Sequence, residues 1–285
     1  MSQNKIAGQV IIITGASLGI GAATAKLLAA QGARLVLAAR SVDKLEQLAA
    51  ELRAESLVVP TDMTQGADLE NLVAKTLEHY GRIDGLVNNA GYGQYGPLEL
   101  LTEEAIRRQF EVNVIGLLLL TQRVIPTMRV QGKGRIVNIS SLSGLIALPF
   151  SGLYHASKFA LEGLSDSLRM ELAPFGIQVS LVEPGPVETK FFEVARDQSM
   201  PYLEGPYKEA SLKTQAQMDS FTREAWEPER VAPFILKALA DENPRDRYQA
   251  FSGGPFLANA LKFTPKTITD GIFRNLFGLD RLIKS

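Results

Sequence analysis

Cysteine is absent from the 285-residue chain, which removes disulfide frameworks, thiolate nucleophiles and cysteine-ligated zinc or iron–sulfur sites. Either redox environment suits such a chain. Histidine is almost as scarce: His79 and His155 are too few for a His-rich metal site, and no metal is expected. No charge of one sign dominates, with 30 Lys plus Arg against 31 Asp plus Glu, so the basic face of a nucleic-acid binder is missing. Long apolar runs are missing too. The longest, residues 114–120, is far short of the ~20 residues that cross a bilayer. The polar opening MSQNK, followed by a short apolar run from Val10, does not match a signal peptide. These absences predict a cytoplasmic globular protein with no transmembrane segment and no nucleic-acid partner.

What is present is an alternation of short β-branched or aliphatic runs with longer stretches of helical period, the pattern of βαβ units around a parallel sheet. Strands are expected at 9–14, 34–39, 57–60, 85–88, 135–140, 178–183 and 248–251. Helices are expected after the first strand to about residue 31, and over 42–53, 69–79, 102–130, 151–173 and 228–240. Residues 186–227 carry no clean period, and an aperiodic stretch of that length reads as a substrate lid. Residues 253–285 form a tail. Neither a repeat nor a linker divides the chain, so one domain over 1–285 is predicted.

At the first strand–helix junction stands Thr14-Gly15-Ala16-Ser17-Leu18-Gly19-Ile20-Gly21. Glycines there let the backbone turn tightly and approach a pyrophosphate, whose charge the helix N-terminus favours. The spacing is GxxxGxG rather than GxGxxG, and glycine turns also serve packing alone; its place in the chain favours the binding role. A carboxylate at the end of the second strand would accept both ribose hydroxyls and repel a 2′-phosphate. Here Leu37-Ala38-Ala39-Arg40-Ser41 has no acid and offers a guanidinium suited to phosphate. NADP(H) is therefore expected over NAD(H), with Arg40 as discriminator and Ser17 as helper; the alternative is a merely solvated Arg40.

Tyr154-His155-Ala156-Ser157-Lys158 puts Tyr154 and Lys158 four apart, on one helical face. A neighbouring ammonium favours phenolate and would lower a tyrosine pKa from its usual ~10. Such pairs are common on surfaces. This one has company: Ser141 ends the fifth strand, Asn88-Asn89-Ala90-Gly91 ends the fourth, and Asn113 lies in the next helix, where doubly wound sheets gather their sites.

With TGASLGIG, NNAG, Asn113, Ser141, YHASK and PGPVET in this order, the sequence resembles the short-chain dehydrogenase/reductase family in its compact single-domain branch. The resemblance implies an α/β, doubly wound, Rossmann-type parallel sheet of about seven strands with helices on both faces, a nicotinamide dinucleotide, and interconversion of a carbonyl and an alcohol. It makes Tyr154 the general acid/base and Lys158 the holder of the nicotinamide ribose. Ser141 becomes the donor to the substrate oxygen, and Asn113 the residue that positions a water relaying protons to Lys158. It assigns the cofactor lining to Gly15, Ser17, Leu18, Gly19, Ile20, Gly21, Arg40, Asp62, Met63, Asn88, Ala90, Gly91, Tyr154, Lys158, Pro184, Gly185, Val187 and Thr189, with Asp62 on the adenine amino group and Thr189 facing the carboxamide.

The regions beyond the strand ends are rich in aromatics, and Tyr92, Phe150, Phe191 and Phe192 are expected to line the substrate site with Ser141 and Tyr154. A bulky, mostly apolar substrate fits such a lining. NAGYGQYGPLE and VEPGPVETKFF are similar to the 17β-hydroxysteroid and retinol dehydrogenase subgroup, which implies a steroid- or retinoid-like compound; a small carbonyl substrate is the alternative. In the tail, Ile272, Phe273, Leu276, Phe277 and Ile283 fall on one helical face. A peripheral membrane contact is one reading, and packing over the substrate mouth or a second subunit is the favoured one. A homo-oligomer is expected, a dimer over a tetramer. Other functions are a non-catalytic dinucleotide sensor or scaffold, which has no need of Asn113, Ser141, Tyr154 and Lys158 together, and an epimerase or dehydratase. A Ser–His hydrolase built on His155 lacks the GxSxG elbow.

Overall fold

The computed structural model describes residues 5–52, 54–199, 204–253, 260 and 263–280. Seven strands form one parallel sheet: β1 (Val10–Thr14), β2 (Arg34–Ala39), β3 (Ser56–Pro60), β4 (Gly85–Asn88), β5 (Gly134–Ile139), β6 (Ile177–Pro184) and β7 (Arg247–Ala250). Their order is β3-β2-β1-β4-β5-β6-β7, and every pairing is parallel. Between β1 and β4 the order reverses, and doubly wound sheets open their crevice there, beyond the carboxyl ends of the strands.

Side chains alternate across a strand, so a strand buried on both faces must be apolar at every position. All five residues of β1 are buried. Ile11 and Ile13 join the layer of α1 (Gly19–Ala30), α2 (Val42–Glu51) and α9 (Pro228–Ala240), among Leu28, Leu45 and Ile235. Val10 and Ile12 join the opposite layer of α3 (Gly66–Tyr80), α5 (Gly116–Gln131) and α6 (Gly152–Leu172), among Leu72, Leu120 and Leu168.

The helix expected over 102–130 is continuous in direction but interrupted. Thr102 caps α4 (Glu103–Phe110), its side chain accepting from the Ala105 amide, and a π-turn at Glu111–Ile115 then leads into α5. Asn113 sits inside that π-turn, a wider coil that is frequent at functional sites. A Cβ on Gly116 would fall 2.1 Å from the Met63 carbonyl oxygen, so the helix can approach the loop after β3 only with glycine there.

The stretch 186–227 holds two helices, α7 (Lys190–Ser199) and α8 (Lys208–Arg223). Hydropathy misses α8 because its buried stripe is Ala210, Ser211, Thr214 and Met218, small and polar residues for the most part. In the tail, α10 (Lys266–Leu276) turns its Phe273 and the following Phe277 against Phe150, Tyr207 and Ala210. Ile272 points outward instead, 57% exposed, and Ile283 lies outside the described residues. No described helix is long and apolar enough to cross a membrane.

Candidate active site

The ends of β1 and β4 are tied by one threonine. Thr14 Oγ1 accepts from the amides of Asn89 and Ala90, both at 3.0 Å, and donates to the Val87 carbonyl. Asn89 Nδ2 in turn donates to the carbonyls of Thr14 (2.9 Å) and Gly15 (3.2 Å), which fastens the glycine turn to the loop after β4. The turn has no room for side chains. Gly15 has φ 64°, with Ala90 Cα 2.9 Å from where a Cβ would be; on Gly21 a Cβ would lie 2.3 Å from the Gly15 carbonyl. Gly19, at φ 54°, approaches Thr189 Cγ2 in the same way, to 2.7 Å.

Asn88, expected on the cofactor, is placed elsewhere. Its Nδ2 donates to Thr121 Oγ1 and Asn138 Oδ1 in the layer beneath, and it does not line the cavity. Strand alternation decides this: Asn88 is the last residue of β4 and points into the packed layer, while Asn89 has left the strand.

A cavity of about 840 Å³ runs from the glycine turn along the carboxyl ends of the strands to α8 and α10. Ser17, Leu18, Ile20, Asp62, Met63, Ala90 and Gly91 line one part, and Pro184, Gly185, Val187 and Thr189 the next. Arg40 and Ser41 stand at its rim. Burial pushes the Asp62 carboxyl up, but hydrogen bonds from Thr64 and the charges of Arg40 and Arg108 outweigh it and hold Asp62 below its ordinary value. Arg108, on α4, lines this end as well and was not marked by any motif.

At the centre, Ser141 has extended backbone, and its Oγ accepts from the Ser143 amide at 3.1 Å. The Ser141 hydroxyl also draws the Tyr154 pKa down. Burial acts more strongly in the other direction and carries Tyr154 up to about 12. This runs opposite to the lowering expected from Lys158, whose Nζ lies 5.7 Å from the Tyr154 ring centre and donates to the Ile139 carbonyl at 2.8 Å. The ammonium itself is pushed down to about 8 by burial, against an upward pull from Glu162. Asn113 is buried, with its side chain fully engaged: Oδ1 accepts from the Tyr92 amide, and Nδ2 donates to the Tyr92 carbonyl and to Ser157 Oγ. Through that side chain Asn113 holds the loop after β4 against α6.

The substrate end is aromatic. The Tyr154 ring has Phe191 at 5.1 Å and Tyr95 stacked at 6.4 Å between centres. Gly93 makes this possible, since a Cβ there would lie 2.6 Å from Phe191 Cζ. Tyr92 and Phe191 line the cavity as expected. Phe150 does not: held at φ 62°, it turns into the cluster with Ala210 and Phe277, and Leu148 and Pro149 line the cavity in its place. The Phe192 side chain lies outside what is described. Unforeseen contributions come from Leu142 and Ile146 after β5 and from Met218 of α8; Phe221 of α8 lines the cavity too, and Phe273 and Leu276 of α10 lie at the substrate mouth, one of the readings of the tail. His155 faces the carbonyl oxygens of Ser143 and Ile146 with Nδ1 and Ser151 Oγ with Nε2, so Nδ1 carries the proton and the imidazole pins the loop after β5. Burial pushes its pKa down, which favours that neutral form.

Among the described residues no cluster of His, Asp or Glu could hold a metal ion. A glycine turn at the switch point of a doubly wound sheet, with a Ser–Tyr–Lys group beyond the strand ends, defines a dinucleotide-dependent oxidoreductase. The short chain dehydrogenase family model matches residues 9–199, and the chain belongs to that family of NAD(P)-binding enzymes. A 3-ketodihydrosphingosine reductase of Bacteroides thetaiotaomicron is 36% identical over 236 residues, covering 83% of this chain and 85% of its own. Two solved structures are also similar. A short-chain dehydrogenase/reductase from Burkholderia phymatum in complex with NAD has a TM-score of 0.81 at 29% identity, covering 93% of this chain and 95% of its own. A metagenomic short-chain oxidoreductase in complex with NADP has a TM-score of 0.69 at 32% identity, covering 86% and 97%.

Proposed function

We propose that the protein reduces a bulky, mostly apolar ketone or aldehyde to the alcohol, with NADPH preferred over NADH. The observation that carries this reading is the joining of three parts in one cavity: the glycine turn with Arg40 at one end, Ser141 and Tyr154 in the middle, and the apolar surface of α8 and α10 at the far end. When bound, the dinucleotide supplies the hydride. The chain supplies the rest. Ser141 Oγ and the Tyr154 hydroxyl donate to the carbonyl oxygen and stabilise the alkoxide that develops there. Tyr154, a neutral phenol at physiological pH because burial raises it, then gives its proton to that oxygen. The buried Lys158 ammonium stabilises the phenolate left behind. Asn113 is a positioning residue that fixes Tyr92 and Ser157 around this group.

The steroid- or retinoid-like reading rests on the similarity of NAGYGQYGPLE and VEPGPVETKFF to the 17β-hydroxysteroid and retinol dehydrogenase subgroup, together with the aromatic lining. The Bacteroides relative, named for a keto sphingoid, supports an extended apolar ketone. Following NADPH absorbance with ketones graded in size tests the proposal: turnover is expected to rise with apolar bulk, and a protein that turns over only small polar ketones would overturn the substrate claim. Leu276, on α10, is 38% exposed and lines the cavity. Leu276→Trp is expected to raise KM for the largest ketones several-fold, about 1–2 kcal/mol of lost pocket space, and to leave the smallest unaffected.

A further inference from the structure

Helix α6 carries Lys158, Glu162 and Asp166 four residues apart, a single stripe that begins at the cavity and ends at the surface. Exposure follows it: Lys158 is buried, the Glu162 side chain is 11% exposed and that of Asp166 39%. Arg247, the first residue of β7, gathers the carboxylates. Its Nε is 3.1 Å from Glu162 Oε2 and 3.3 Å from Glu183 Oε1 on β6, its Nη2 is 2.8 Å from Asp166 Oδ2, and its Nη1 is 3.4 Å from Asp246. Arg247 therefore faces four carboxylates, with Arg169 assisting at Asp166, 3.4 Å away. Lys158 precedes Glu162 by one turn on the same helical face. Glu162 Oε1 is buried and takes no hydrogen bond of good geometry, and it sits beside Gly144, where a Cβ would fall 3.1 Å away. Arg247 engages Oε2 of Glu162 and leaves Oε1 buried and unengaged, one helical turn from the catalytic lysine.

We infer that Glu162 is a positioning residue for the proposed reaction: its carboxylate, held inside the protein by Arg247 one helical turn from Lys158, sustains the Lys158 ammonium. This rests on the reading of Tyr154 and Lys158 given above. The charged groups facing Glu162 are Lys158 and Asp166 on its own helix, Glu183 from β6, and Arg247 and Asp246 from β7. Burial pushes Glu162 up and Arg247 pulls it only part of the way back, while Glu183, fully buried, is carried up to about 7. Of these carboxylates it is Glu162 that pulls the Lys158 ammonium upward. Without an ammonium the phenolate formed after proton donation loses its stabilising charge, so the reductive rate falls above the Lys158 pKa.

Glu162→Gln keeps the shape and removes the charge; Glu162→Asp keeps the charge and withdraws it by one methylene. The 13Cε shift of Lys158 in [13C]lysine-labelled protein, assigned with Lys158→Met, reads the titration directly whether or not a variant turns over. From about 8 in the wild type, the pKa is expected to fall by about one to two pH units in Glu162→Gln, as for a unit charge one helical turn away at an effective dielectric of ~20. In Glu162→Asp it should fall by less. The basic limb of the kcat–pH profile should move by the same amounts, with KM little changed. An unchanged Lys158 titration in either variant overturns the inference. If Glu162→Gln does not fold, Glu162→Asp decides alone by the same criterion. Failure of the underlying reading looks different: Lys158→Met would then retain full turnover.

Discussion

Tyr154→Phe is expected to lower turnover by at least about 10²–10⁴-fold, the range general acid catalysis supplies, while NADPH still binds. The phenol shares the cavity with the Ser141 hydroxyl, and its pKa of about 12 leaves it protonated in the direction of reduction. Removing one oxygen takes away the proton and one donor to the developing alkoxide but leaves the ring, which packs against Phe191 and Tyr95. The glycine turn, held by Thr14 and Asn89, lies outside that change. Single-turnover rates with NADPH and a reactive ketone, beside a fluorescence titration of NADPH, check both halves. A variant that turns over at the wild-type rate would remove Tyr154 from the mechanism.

Arg40→Asp is expected to reverse the preference between NADPH and NADH. A hydrogen bond to a charged group contributes about 1.5–3 kcal/mol, so losing Arg40 weakens NADPH by roughly ten- to a hundred-fold at ~1.4 kcal/mol per decade. The new carboxylate repels the phosphate further and can accept from an unphosphorylated ribose. Arg40 stands at the cavity rim directly after β2, beside Ser41. Dissociation constants for both dinucleotides, measured over a range of salt, test this. Equal affinities in the wild type would defeat the assignment, and a drop for both dinucleotides alike in the variant would point to a general electrostatic role.

Much of this site can be read without coordinates, because it depends on local order. The i,i+4 spacing of Tyr154 and Lys158 fixes them to one face of α6, and the glycine-rich turn gains its meaning from its place at the first strand–helix junction of an alternating chain. The missed residues depend on where an element stops. Asn88 and Asn89 are chemically identical, and which one faces the turn is decided by the single residue at which β4 ends. Phe150 and Leu148 exchange roles because the backbone at Phe150 takes a left-handed conformation that no composition rule foretells for a phenylalanine. Arg108 reaches the cavity only through the packing of its helix. The π-turn at Asn113 has no sequence signature, and α8 hides behind an alanine, serine and threonine stripe. The direction of the Tyr154 shift was misjudged because a charged neighbour four residues away is visible in sequence, whereas burial is not.

Burying Lys158 also makes the folding equilibrium a titration. An unfolded chain keeps that proton up to its ordinary value of 10.5, whereas the native state releases it at about 8, so across this window the denatured ensemble binds more protons and alkali favours the native form. Below both values the penalty is complete and constant, about 3 kcal/mol from that separation. Urea melts of the wild type and Lys158→Met at successive pH values should therefore converge toward, or cross in favour of, the wild type as alkalinity increases. The lysine proposed to serve the chemistry is thus one the protein folds in spite of, and its thermodynamic burden is heaviest at neutral pH.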